Sequence, residues 1–177
     1  MIRVVFTGSE STGKSTLAAA VAKHYGVEVV PEFVRAFAEQ KGTPIAFSDH
    51  GAIARGQMAL EDEYVARAST LLLQDTDLLS TVVYCRHYFG RCPAWIEEAA
   101  ERRRPDLYLL CDVDTPWVAD GVRDRGHLRD EMQRLFEDAI SASGTATLTL
   151  SGTIQNRLTK SILRIDQLLS GCSATDL

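Results

Sequence analysis

Residues 8–15 read Gly-Ser-Glu-Ser-Thr-Gly-Lys-Ser, a G-x-x-x-x-G-K-[ST] pattern set between the apolar run Val4-Val5-Phe6 and the stretch Thr16 to Tyr25, which is rich in helix formers. This order demands a buried strand, a tight glycine turn and a helix, and so commits the chain to an α/β fold from its first residues. The two glycines let the backbone turn so that successive N–H groups face one point, where the helix N-terminus adds positive potential. Such a loop binds a nucleoside triphosphate. Ser9, Glu10, Ser11, Thr12, Gly13, Lys14, Ser15 and Thr16 form the cradle, with Lys14 on the β- and γ-phosphates and the Ser15 hydroxyl on Mg²⁺.

The rest of the chain alternates in the same way. Val27–Val30 reads as a short second strand after Gly26, and Glu32–Gln40 as the helix that follows Pro31. Residues 42–49 read as a connection in which Ser48 or Asp49 caps the next helix, whose Ile53, Gln57, Leu60 and Tyr64 share one face. Thr70–Gln74 and Leu107–Cys111 read as strands three and four, each ending in an aspartate, Asp75 and Asp112. Ala146–Leu150 completes the set, followed by a helix with the stripe Ile154, Leu158, Ile162, Ile165 and Leu169. The expectation is a five-stranded parallel sheet with helices on both faces and ligands beyond the carboxyl ends of the strands. A length of 177 residues suits one domain, read here as residues 1–170, with 171–177 as a flexible tail.

Composition narrows the function. A net charge of −5, with Arg102-Arg103-Arg104 as the one basic run and read as a solvated helix end, argues against nucleic-acid binding. No apolar run approaches the roughly twenty residues of a membrane span, and no signal peptide precedes the first strand, so a cytoplasmic protein is expected. Cys85, Cys92, Cys111 and Cys172 lack metal-ligand or disulfide-scaffold spacing and read as reduced thiols. Tyr84, Tyr88, Phe89, Trp95 and Trp117 read chiefly as core aromatics.

The polar and charged residues outside the loop divide into five groups. Asp75 ends an apolar strand, where a P-loop protein anchors Mg²⁺ together with Ser15, while Asp77 either caps the next helix or meets a substrate. Glu32 and Arg35 follow strand two, where a carboxylate can bond an acceptor hydroxyl and accept its proton and an arginine can clamp phosphate; compensation of a helix dipole is the competing role for Glu32. Gln57, polar on an apolar stripe, either bonds backbone or enters a substrate pocket. Between strands four and five, Gly121 and Gly126 together with Arg123, Arg125 and Arg129 read as a lid, with Arg123 or Arg129 on the transferring phosphoryl group. The turn Ser151-Gly152-Thr153 is placed at the adenine edge, with Arg157 stacking on the ring.

Taken together, the loop with its Glu10, Glu32-x-x-Arg35, Gln57, Asp75-Thr-Asp77, Tyr88-x-Gly90 and Trp117-Val-Ala-Asp-Gly-Val-Arg123 resemble the nicotinamide riboside kinase domain of the NadR family. The resemblance implies a P-loop kinase fold that moves the γ-phosphoryl of ATP to the 5′-hydroxyl of nicotinamide riboside. By position it implies Lys14 on the phosphates, Ser15 and Asp75 at Mg²⁺, and Glu32 and Arg35 near the acceptor. Gln57, Asp77, Trp117 and Asp120 become candidates for substrate contact, and Arg123 and Arg129 belong to the lid. Full-length members carry an adenylyltransferase domain, and some a DNA-binding segment, ahead of the kinase; with Met1 opening strand one, the expectation is a standalone kinase that neither makes dinucleotide nor binds operator DNA. Some relatives stack an aromatic on the nicotinamide just before the glutamate, where this sequence has Pro31. The competing readings are a kinase of another nucleoside and a regulatory ATP-binding protein. An N-K-x-D guanine signature is missing, which disfavours a GTPase.

Overall fold

The computed structural model describes residues 1–114 and 129–172. Five strands form one sheet, β1 (Ile2–Thr7), β2 (Val29–Val30), β3 (Leu71–Asp75), β4 (Leu107–Cys111) and β5 (Thr147–Leu150), in the order β2-β3-β1-β4-β5 with parallel pairing throughout. The helices are α1 (Lys14–Tyr25), α2 (Phe33–Lys41), α3 (His50–Val65), α4 (Leu78–Phe89), α5 (Ala94–Arg102), α6 (Arg129–Ser143) and α7 (Ile154–Cys172). The chain leaves central β1 through the glycine loop, crosses β3 to lay down β2 at one edge, and later builds outward through β4 to β5. Loops after β1 and β3 therefore meet at the carboxyl ends of neighbouring strands, where an open α/β sheet binds its ligands.

Burial on both faces explains the continuous apolar strands. Val4, Phe6, Leu73, Leu109 and Leu150 pack with Leu17 and Val21 of α1 and Ile165 of α7 on one face. On the other, Val5, Tyr108 and Leu110 pack with Val83 of α4 and Met132, Phe136 and Ile140 of α6. A smaller cluster of Ala54, Leu78, Val82, Ile96 and Ala99 joins α3, α4 and α5.

Several boundaries differ from the sequence expectation for local reasons. Gly26, at φ +65°, closes α1, and the Val27 N–H donates to the Ala22 carbonyl (3.1 Å), so Val27 belongs to the helix cap and β2 shrinks to Val29–Val30. Helix α2 starts one residue later than expected and leaves Glu32 at its N-cap position. Register with β1 pairs Ile2 with Leu71 and Phe6 with Asp75, which makes Asp75 the last residue of β3 rather than the first of the turn. Asp49 caps nothing in α3; a 3₁₀ turn over Phe47–Asp49 intervenes, and its carboxylate accepts the Ala46 N–H (2.7 Å) and pairs with Lys41. Ile154 lies exposed instead of on the α7 stripe, and α7 continues through Gly171 to Cys172. Tyr88, Phe89 and Trp95 stand at the surface instead of in the core. The arginine triplet is more than a solvated helix end, since Arg103 donates to Asp62 (2.7 and 3.0 Å) and Glu61 (3.2 Å), and Arg3 reaches the same buried Glu61 (2.9 Å).

Candidate nucleotide and acceptor site

The loop after β1 owes its shape to two backbone positions that exclude a side chain. Gly8 has φ +122°, and a Cβ there would stand 2.7 Å from the Cys111 carbonyl oxygen of β4. Gly13 has φ +84° and turns the chain into α1. Between them the non-glycine Ser11 also takes a left-handed φ of 54°. Lys14, 7% exposed, folds back over the loop and donates to the carbonyls of Gly8 (2.9 Å) and Ser9 (2.6 Å).

The loop carbonyls are then taken up in turn. The Thr12 hydroxyl donates to Ser9 O (2.9 Å), Arg129 to Ser11 O (3.4 Å), Arg157 to Thr12 O (2.8 Å) and the Leu17 N–H to Gly13 O (3.0 Å). In a trans peptide the N–H points opposite to its C=O. Holding the carbonyls of Ser11, Thr12 and Gly13 therefore aims the N–H groups of Thr12, Gly13 and Lys14 to the other side, the arrangement of an anion-binding nest at a helix start. Ser15 and Thr16 are exposed on the first turn of α1, and Glu10 is half-buried.

Beside the loop, the Thr76 N–H donates to Phe6 O (3.0 Å) and carries the β1–β3 pairing one step past the strand, with Thr76 at φ 68°. The Asp75 carboxylate ends up at this junction, 8% exposed, and its buried Oδ1 has no hydrogen-bond partner among the described residues. A buried carboxylate oxygen in that condition is costly unless a cation or donor completes it. With the Ser15 hydroxyl on the adjoining helix turn, the donor set suits a hard divalent cation with oxygen ligands. Asp77 differs. It caps α4, accepting the Leu79 N–H (3.1 Å) on one oxygen and the Tyr108 hydroxyl (2.6 Å) on the other. Burial pushes its carboxyl up to about 6, against the lowering effect of the Tyr108 hydrogen bond, and burial with the adjacent carboxylate pushes the Tyr108 hydroxyl up as well. Of its two sequence-level roles, this geometry is that of the cap.

On the other side of β3, Glu32 and Arg35 lie an ion pair apart (3.8 Å), Glu32 largely buried and Arg35 45% exposed. Gln57 is buried in α3 and accepts the Phe33 N–H (2.9 Å) while donating to the Pro31 carbonyl (3.4 Å). Its amide thus grips the backbone on both sides of Glu32, the backbone-bonding alternative. The Phe33 ring lies flat against α3 at Gly56, where a Cβ would come within 2.2 Å of it.

Arg157 departs from its expected adenine-stacking role. Its guanidinium, 3% exposed at the side chain, donates to Gly152 O (3.1 Å), Thr12 O (2.8 Å) and Asp112 O (3.2 Å) and pairs with Asp114. Gly152, at φ +86°, donates its N–H to the same Asp114. Gln133 of α6 is a further residue at the loop, absent from the sequence expectation: it accepts the Ser9 N–H (3.1 Å) and donates to Cys111 O (3.2 Å). A glutamine in mid-helix carries no local signal for this. Trp117, Asp120, Gly121, Arg123, Arg125 and Gly126 lie outside the described residues, as does most of the expected lid; Arg129 alone of its candidate arginines is described, at the start of α6.

Comparison with known proteins agrees with this geometry. The Trifunctional NAD biosynthesis/regulator protein NadR of Escherichia coli (strain K12) is 34% identical over 143 residues, 77% of this chain and 35% of that protein. The NadR of Salmonella typhimurium (strain LT2) is 35% identical over 127 residues, 70% of this chain and 31% of that protein, so the chain spans about a third of the length of these curated relatives. Among solved structures, a NadR protein in complex with NR superposes with a TM-score of 0.72 at 20% identity, covering 91% of this chain and 48% of that one. A NadR protein with NAD and AMP-PNP gives 0.75 at 21% identity over 96% and 49%. Thymidylate kinase from Ehrlichia chaffeensis gives 0.64 at 15% identity over 93% and 98%, so the fold is that of P-loop kinases. The AAA domain family model matches residues 3–157, the span that holds the glycine loop, Glu32, Asp75 and Arg157, and the chain therefore belongs to the AAA domain family as a P-loop domain similar to part of NadR.

Proposed function

We propose that the chain is an ATP- and Mg²⁺-dependent kinase that phosphorylates the 5′-hydroxyl of nicotinamide riboside to nicotinamide mononucleotide. The observation that carries this reading is the opposition, across β3, of a phosphate-binding loop and the Glu32–Arg35 pair, with the unpartnered Asp75 oxygen between them. The likeness to NadR proteins, one of them crystallised with NR and another with AMP-PNP, supports the nucleotide and the acceptor class.

On binding, Lys14 exchanges the Gly8 and Ser9 carbonyls for the β- and γ-phosphate oxygens, and the nest amides take the rest. Ser15 and Asp75 would hold Mg²⁺, which when bound neutralises charge shared by the β- and γ-phosphates. Glu32 orients the acceptor hydroxyl and takes its proton as the hydroxyl oxygen bonds to the γ-phosphorus and the bond to the β-phosphate oxygen breaks. ADP leaves and Glu32 returns the proton to solvent. Arg35 holds the Glu32 carboxylate, and Arg129, which starts α6 and donates to Ser11 O, offsets charge on the transferring phosphoryl group. Phosphoryl transfer passes through a loose transition state, so positioning outweighs base strength and a Glu32 variant retains some turnover.

ADP release with Mg-ATP, measured against nicotinamide riboside, nicotinic acid riboside and common nucleosides, tests the proposal. Turnover confined to the pyridine ribosides, falling by about 10³-fold or more in Lys14→Ala, is the expected result. Turnover on another nucleoside alone would overturn the substrate, and ATP binding with no acceptor would overturn the kinase.

A further inference from the structure

The Arg157 side chain of α7 reaches the phosphate loop by a hydrogen bond, from 145 residues away in the chain. Its five-donor fork serves three pieces of backbone at once: Thr12 in the loop, Asp112 at the end of β4 and Gly152 in the turn after β5. Asp114 neutralises the buried guanidinium and also takes the Gly152 N–H, so the same carboxylate ties this turn to the start of the segment after β4. The Thr12 carbonyl belongs to the peptide whose N–H is that of Gly13. Gly13 has φ +84° and no neighbour within 4 Å of where its Cβ would be, so side-chain packing at Gly13 does not hold this peptide, whereas the Arg157 bond to its carbonyl does.

We infer that Arg157 is a positioning residue for the nucleotide site: it fixes the orientation of the Thr12–Gly13 peptide, and so the phosphate-facing Gly13 amide, without itself touching the nucleotide. The inference rests on reading residues 8–15 as the ATP site and is independent of the acceptor. Two physical consequences follow. A lysine cannot replace the arginine, because one ammonium on a flexible stem cannot bond three diverging carbonyls in fixed geometry. The effect also falls on nucleotide binding and leaves acceptor binding at saturating ATP unchanged, because no bond of Arg157 crosses to the β2 side of the sheet.

The experiment is titration of a fluorescent ATP analogue, with melting temperature recorded in parallel, on the wild-type chain, Arg157→Ala, Arg157→Lys, Asp114→Asn and Ser161→Ala. Ser161 is the control for disturbance of α7, since its buried hydroxyl donates only to the Arg157 main-chain carbonyl (2.7 Å). The expected result is nucleotide affinity weakened about 10–100-fold in Arg157→Ala, about tenfold in Arg157→Lys and a few-fold in Asp114→Asn, with Ser161→Ala losing melting temperature but not affinity. Should Arg157→Ala fail to fold, Arg157→Lys decides: wild-type affinity in the folded lysine variant overturns the inference. Equal loss of affinity in Ser161→Ala and the Arg157 variants also overturns it, since the effect would then be general to α7. No analogue binding by the wild-type chain would instead overturn the nucleotide-site reading itself.

Discussion

The two sides of β3 are held together very differently. On the nucleotide side, the loop is braced by Gln133, Arg129 and Arg157, which come from 124, 118 and 145 residues away. On the proposed acceptor side, Glu32 pairs with Arg35 three residues on, and Gln57, 24 residues away, ties the flanking backbone to α3. The nucleotide side is rigid by construction, as a preorganised phosphate cradle must be. The proposed acceptor side rests on a two-residue edge strand and a short helix with no fully buried residue. Pro31 fits this contrast: its side chain is exposed, and the main-chain carbonyl supplies the bond to Gln57.

Three substitutions sharpen or break the comparison. Gly8→Ala has the largest expected effect, a loss of about 2–4 kcal/mol in urea unfolding together with loss of nucleotide binding, because the new Cβ meets the Cys111 carbonyl at a left-handed φ. A fully stable variant would mean that the loop is not rigid. Gln57→Leu comes next. It strands the Phe33 N–H and loosens Glu32, with an expected cost of about 1–3 kcal/mol and a turnover reduced about tenfold. The KM for ATP should stay at the wild-type value; a matching rise would show the two sides to be coupled.

Asp77→Asn, on the border between the sides, comes last, with an effect confined to one pH range and of definite sign. Its carboxyl is raised by burial to about 6 from 3.8, so the folded state binds the extra proton and stability falls as pH rises from about 4 to 6. The asparagine variant should lose that slope, worth on the order of 1–3 kcal/mol, in urea midpoints measured across this range. An unchanged slope would place the titration elsewhere.

The local character of the chemistry decided how much could be read in advance. The glycine loop was legible because its function lies in the backbone conformation of eight consecutive residues, and Asp75 because a strand end is a position that hydrophobic patterning marks. Glu32 and Arg35 could be proposed from their place after β2, and the structure sets them an ion pair apart. The β2 boundary was not, since the choice of Val27 between strand and helix cap turns on one hydrogen bond to Ala22.

The sequence alone thus determined the fold class and the glycine loop that commits the chain to it. The strand order, and with it the placement of β3 between the loop and the Glu32–Arg35 pair, was decided only in three dimensions, as were the partners of Gln57, Gln133 and Arg157. The physical reason is that a polar side chain has many possible partners of equal chemistry. Which one it takes is set by strand register and helix packing that bring residues more than a hundred positions apart within 3 Å, and no local pattern encodes that distance.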